Sequence, residues 1–151
     1  MSASNYWIGV AARAHVMVGV EQGLVMFAHG QHSAVKRVQP GDWFAYYSPT
    51  QTLGVADTVR RFTAIGQVLP GEPVAMQMSA DATGWRRAAR FFSAQEADIY
   101  LLLPQLSFVT NPVHWGMYFR KSLFKIGVAD FRCIAEAMGV GEHCNEPETL
   151  L

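Results

Sequence analysis

Cysteine is nearly absent: Cys133 and Cys144 are the only two in 151 residues. Two cysteines near the C-terminus make no disulfide framework, and no C-x-x-C spacing suited to a metal occurs. Both points favour a reducing compartment, so the expected location is cytoplasmic. Long apolar runs are missing too. No stretch approaches the roughly 18 consecutive apolar residues of a transmembrane helix, and no membrane partner is expected. The N-terminus carries no basic residues ahead of an apolar run, so it reads as neither a secretory signal nor a transit peptide. Charged residues make up 16% of the chain, below the usual quarter or so. Half of the residues are apolar, so the composition is that of a chain with a real core and not of a disordered one.

The common catalytic signatures are lacking as well. There is no G-x-x-x-x-G-K-[ST] phosphate loop and no G-x-G-x-x-G after a strand. There is no H-E-x-x-H and no G-x-S-x-G. The five histidines (15, 29, 32, 114 and 143) are scattered. His29 and His32 have no third metal ligand near them, so neither a metal nor a cofactor is expected. Cys133 sits one position off the apolar stripe of its helix and reads as an inert thiol. Asp42 fits a turn. Lys36, with Thr63 or Asp57, is the one set that would suit acid–base chemistry, and Lys36 reads equally well as a solvated loop residue. The expectation is therefore a protein that is not an enzyme.

The net charge is zero, but its distribution is uneven. Four of the twelve acids follow Arg132, leaving residues 1–132 with twelve basic and eight acidic side chains. Nine of the twelve basic residues are arginine, the type suited to phosphate forks and to stacking on bases. Arginine-rich surfaces also arise simply in GC-rich genomes.

The length suits one domain, residues 1–140, with residues 141–151 as an acidic, flexible tail. Asn5–Ala12 reads as a strand. His15–Gln22 reads as a short helix closed by Gly23, and Leu24–Ala28 as a buried strand broken by His29-Gly30. Pro40-Gly41-Asp42 is a turn, and Trp43–Ser48 is a strand ending at Pro49. Thr50–Arg60 reads as a loop and Phe62–Leu69 as a strand. Val74–Met78 and Trp85–Phe92 are two more strands around a Ser79–Gly84 turn. Ser93-Ala94-Gln95-Glu96 fits a capping box opening a short helix that contains Ile99, Leu102 and Leu103 and is interrupted by Pro104. The spacing of Trp115, Phe119 and Leu123 predicts an amphipathic helix over Trp115–Ile126, and Asp130–Met138 is the cleanest helix of the chain. Strands joined mostly by turns indicate an α/β (α+β) fold: a small, curled, mixed but mainly antiparallel barrel with short helices against it.

Aromatic residues are what the chain does have. Trp7, Trp43, Trp85 and Trp115 are spread along it, joined by Tyr46, Tyr47, Phe27, Phe91, Phe92 and Phe119. Core packing accounts for aromatics in general. Arginines beside Trp85 and Trp115 give the alternative, since rings and guanidinium groups together hold single exposed bases.

The order of short motifs resembles the EVE-domain family. Asn5-Tyr6-Trp7-Ile8-Gly9-Val10-Ala11-Ala12-Arg13-Ala14-His15-Val16 is similar to the family's opening strand and helix. Met26-Phe27-Ala28-His29-Gly30-Gln31 resembles its "HGK" turn, departing at Gln31, where lysine is frequent. Gly41-Asp42-Trp43 through Tyr46-Tyr47-Ser48-Pro49 resembles its "GDW-x-x-YYSP" strand. Phe62–Val68, Trp85-Arg86-Arg87, Leu106–Val109, Trp115–Arg120 and Leu123–Ile126 with Asp130-Phe131 follow in order. The resemblance covers residues 5–138.

It implies a PUA-like barrel, related to ASCH and YTH domains, whose pocket accepts one flipped-out or unpaired modified base of DNA or RNA. Carried onto this chain, the pocket would draw on Val10, Ala11, Ala12, His29, Gly30, Tyr47, Ser48, Pro49 and Trp85. Tyr47 and Trp85 would stack and Ser48 would bond a base edge. Arg13, Lys36, Arg87 and Arg120 would meet backbone phosphates. Alternation along Trp43–Ser48 lets only one of Tyr46 and Tyr47 face the pocket. The expected partners are nucleic acid carrying a modified base, a separate effector protein and, given exposed aromatics, a second copy of the chain. An ASCH-like hydrolase of modified nucleosides and a small-molecule sensor are the alternatives.

Overall fold

The computed structural model describes residues 4–80 and 82–141. Most of the acidic tail, with Cys144, lies outside them. β1 (Tyr6–Val10) pairs in parallel with β3 (Trp43–Thr50), from Tyr6 opposite Trp43 to Val10 opposite Tyr47. The crossover between them holds α1 (Arg13–Gln22), β2 (Leu24–Val25), a one-turn 3-10 segment (Ala28–Gly30) and α2 (His32–Arg37). β4 (Thr58–Val68) runs antiparallel to β3, and its far end pairs with β6 (Ala82–Phe91). β5 (Val74–Ser79) forms a hairpin with β6, β2 pairs with β6, and β7 (Ala97–Asp98) pairs with β4. After α3 (Ile99–Leu102) and a 3-10 stretch (Pro112–Phe119), β8 (Leu123–Ile126) closes the edge antiparallel to β1. The strand order is β2-β6-β4-β3-β1-β8, a mixed sheet curled into a half-barrel. α4 (Val128–Ala137) ends the described chain.

The unbroken hydrophobic run of β3 has a physical reason: both its faces are covered. Trp43, Ala45 and Tyr47 point to one cluster, with Phe62, Ile65, Ile99, Phe131 and Ile134 beneath the helices. Phe44 and Tyr46 point to the other, inside the curl, with Trp7, Val25, Phe27 and Val68. The turn before β3 is pinned by buried Asp42. Its carboxylate accepts from the Asn5 amide, Trp7 Nε1 and the Gln39 amide, each at 2.9 Å. Gly23 closes α1 in the left-handed region, φ 69°.

Several expectations change. β3 runs on through Pro49 to Thr50, and β4 starts at Thr58, inside the expected Thr50–Arg60 loop. The predicted Leu24–Ala28 strand stops at Val25, because the chain turns into the left-handed Ala28–Gly30 segment. Ser93–Glu96 opens no helix. Gln95 is tied to α4 through its amide (Met138 O, 3.0 Å) and side chain (Ala137 O, 3.0 Å). Glu96 pairs with Arg13 and Arg61, and the cap of α3 is Asp98, which accepts from the Tyr100 amide. Trp115–Ile126 is not one helix: the 3-10 stretch ends at Phe119, and Leu123–Ile126 is a strand because the open edge of β1 supplies its hydrogen bonds. Lys36 lies not in a loop but on the helix His32–Arg37, which buries Ala34 and Val35.

Candidate functional site

A cavity of about 400 Å³ opens beyond the carboxyl ends of the parallel pair β1 and β3, within the usual range for small-molecule sites. Parallel neighbours whose chains turn away leave such a crevice. One wall is the exit from β1 into α1: Val10, Ala11, Ala12, Ala14 and His15. Small residues there keep the space open. Ala12, at the N-terminal boundary of α1, gives no side-chain cap, and the first turn holds no acid. The helix dipole at this wall therefore favours acceptors and anions.

The floor is aromatic. Phe27 and Tyr46 stack at 5.5 Å and 22°, deep in the curl. Gly9 allows this approach, because a Cβ there would lie 2.9 Å from Phe27 Cδ1 and 3.0 Å from Tyr46 Cε1. The Tyr46 hydroxyl donates to Met26 O (3.0 Å) and accepts from the Met26 amide (3.3 Å). Burial pushes this phenol far above its ordinary range, against the smaller pull of the Met26 bond, so it stays neutral and fixed.

The opposite rim is the turn Ala28-His29-Gly30. All three residues have left-handed φ, at 49°, 57° and 79°. For alanine and histidine this costs about 1–2 kcal/mol each, and such strain clusters at functional sites. Gly30 is required twice over, since a Cβ would also meet Gly84 Cα at 2.8 Å and Trp85 N at 3.1 Å. The turn is closed by Gly30 N to Phe27 O and Gln31 N to Ala28 O. The amides of Ala28 and His29 have no acceptor among the described residues. Pro49, Thr50 and Leu53 form a third side, and Arg120 with Ser122 a fourth. Among the described residues no carboxylate lines the cavity.

His15 is shifted below its ordinary 6.5, first by burial, then by Arg86 and His29. Its folded form holds fewer protons than its unfolded form below 6.5. Its contribution to stability is therefore complete above that pH and is lost as the pH falls towards the lowered folded value. An NMR titration of the His15 ring should give a midpoint under 6.5, and Arg86→Gln should raise it only in part, because burial is the larger cause.

Val10, Ala11, Ala12, His29, Pro49 and Arg120 all line the cavity. Gly30 supports the rim from behind. Tyr47, expected to stack there, faces the other side of β3, 2% exposed and 4.4 Å from the Phe119 ring. The parity of the strand puts Tyr46 in the cavity instead. Ser48 is buried and hydrogen-bonded to Thr63 at 2.8 Å, where a bulge shifts the β3–β4 register. Trp85 is outside the lining and stacks on His32. Arg13 is engaged with Glu96 at 2.7 Å. Arg87 is buried, donating to Gly71 O at 2.7 Å, which removes it from any phosphate surface. Lys36 is exposed on α2. Its suggested acid–base companions are engaged elsewhere, Thr63 with Ser48 and Asp57 with the Gln51 and Thr52 amides. Sequence reasoning missed His15 and Ala14, although their position one turn after Ala11 and Ala12 on a helix was the available signal. Among the described residues no three metal-ligating side chains cluster, and no helix is long and apolar enough to cross a membrane.

The family model described as EVE domain matches residues 5–137. The chain belongs to the EVE-domain family. Its relatives share this span. The UPF0310 protein msl3206 of Mesorhizobium japonicum is 44% identical over 149 residues, covering 97% of this chain and 96% of its own. The UPF0310 protein YdcG of Bacillus subtilis is 35% identical over 137 residues, covering 91% and 94%. The NMR structure of Rpa0253 from Rhodopseudomonas palustris superposes with a TM-score of 0.59 at 14% identity, over 94% of this chain and 98% of that one. The crystal structure of Atu2648 from Agrobacterium tumefaciens gives 0.53 at 14%, over 95% and 97%. At such identity the likeness speaks for the fold, and this EVE domain has the curled barrel of the PUA-like kind.

Proposed function

We propose that this EVE domain is a non-catalytic module that holds one modified nucleobase, in DNA or RNA, within the cavity beside Tyr46. The observation that carries the reading is the character of that cavity: an apolar floor, donors on the walls and, among the described residues, no carboxylate in the lining. A base has apolar faces and an edge rich in acceptors. Val10, Met26 and Phe27 offer the first contact. The free amides of Ala28 and His29 and the Ser122 hydroxyl offer the second. A methyl group on the base adds apolar contact worth about 1–3 kcal/mol. Arg120 on the rim and Lys36 on α2 meet the backbone phosphates. Binding of this kind changes nothing covalently, so a separate effector protein reads the occupied state.

The test is binding to short oligonucleotides carrying methylated or hydroxymethylated bases, against unmodified ones, at low and moderate salt. The expected result is tighter binding to a modified strand at both salt concentrations. Arg120→Ala should weaken modified and unmodified strands alike and lower the salt slope by about one. Binding that ignores the modification and vanishes with salt would overturn the reading.

A further inference from the structure

The ring of His32 lies 4.0 Å from that of Trp85, at 28°, in a parallel stack. This pair belongs to neither core cluster. His32 is exposed and Trp85 half-buried, so the stack is a surface feature. Its place is set by the cavity rim. Gly30 packs its backbone on Gly84 and Trp85, and His32 follows Gly30 by two residues as the first residue of α2.

The sequence on either side of it is basic. No acidic residue occurs from Gln22 to Gly41 or from Ala82 to Gln95; besides buried Arg87, these spans hold Lys36, Arg37, Arg86 and Arg90. Lys36 and Arg37 are exposed on the same short helix as His32. An aromatic stack beside exposed cations is the composition that holds unpaired nucleotides, with bases on rings and phosphates on cations.

We infer that the His32–Trp85 pair is a second subsite, a platform on which the base next to the one in the cavity stacks. The inference rests on the base-holding reading of the cavity and deepens it, making the ligand a stretch of at least two nucleotides. The rim turn separates the two subsites, so the strand passes over Ala28-His29-Gly30. Trp85 backs the His32 ring and keeps it flat for its partner, and the linking phosphate meets Lys36.

The test compares trinucleotides bearing a modified central base with the same strands made abasic on the 5′ or the 3′ side. In the native protein, removing one of the two flanking bases should weaken binding by about 5- to 150-fold, the usual range for one stacked base. His32→Ala should give the same loss with the intact strand and no further loss with the abasic one. His32→Phe, which keeps a ring on α2, should restore it. If neither flanking base matters while the modified central base still does, the platform is wrong and the cavity reading stands. If His32→Ala weakens abasic and intact strands equally, the platform is likewise overturned. If no strand binds the native protein, the cavity reading falls and the platform with it.

Discussion

Asp42→Ala should cost this domain about 3–5 kcal/mol, because it removes three hydrogen bonds to a charged group, each worth about 1.5–3 kcal/mol before the chain relaxes. The carboxylate is 3% exposed and accepts three hydrogen bonds, two of them on Oδ2. The donors are the Trp7 indole and two backbone amides, and none can follow the side chain when it is removed. The orphaned buried indole N–H costs about 1–3 kcal/mol, and the two part-buried amides add less each. The same turn carries Val68 N to Asp42 O and Gly41 N to Val68 O, both at 2.8 Å, so β1, β3 and β4 all meet there. For a domain with roughly 5–15 kcal/mol in total, the loss is a large fraction. The check is urea denaturation, where the midpoint should fall sharply with an unchanged slope. Asp42→Asn should fall between, because its NH2 group faces donors in place of an acceptor oxygen. A midpoint within experimental error of the native protein for Asp42→Ala would show that this network contributes nothing to stability. The effect is on folding alone, since Asp42 does not line the cavity.

The turn at Asp42 was legible because proline, glycine and aspartate each act locally. The same holds for Gly23 at the end of α1 and for the amphipathic α4. What the sequence hides is decided by tertiary partners. Residues 123–126 carry the helical spacing of Trp115, Phe119 and Leu123, yet become β8 because β1 has an open edge. Six residues of α2 are too short to announce a period, and their helix is held by Ala34, Val35 and Val38 against the core. β3 reads as a strand but not as a face, since both sides are apolar for different reasons. Its two tyrosines are adjacent in sequence and opposite in space. Of the nine pocket residues that the family motifs suggested, Val10, Ala11, Ala12, His29 and Pro49 line the cavity, because these motifs mark the points where the chain turns. The motifs did not separate wall from support. Trp85 and Gly30 touch the rim from behind, Ser48 ties β3 to β4, and Arg87 reaches away to Gly71.

The two faces of β3 can be told apart by a pair of variants with opposite effects. Ala11→Phe places a ring at a cavity wall whose space is otherwise open, and Ala11 is only partly buried. It should abolish binding of a modified oligonucleotide, a loss of at least about a hundredfold, because a ligand cannot share the space with the new ring. Its thermal midpoint without ligand should stay near that of the native protein. Tyr47→Ala should do the reverse. Its ring contacts Phe62 and Phe119 at 5.6 and 4.4 Å in the cluster beneath the helices, and deleting a core aromatic costs about 3–5 kcal/mol. Whatever remains folded should bind the oligonucleotide with native affinity, since the ring is outside the cavity. One experiment reads both, the rise in melting temperature on adding ligand, which reports binding to the folded state by mass action. The native protein should gain stability, Ala11→Phe should gain none, and Tyr47→Ala should start lower and gain as much as the native chain. A Tyr47→Ala protein that starts lower and fails to respond would place the ligand on the helix-covered face of β3 and not in the cavity beside Tyr46.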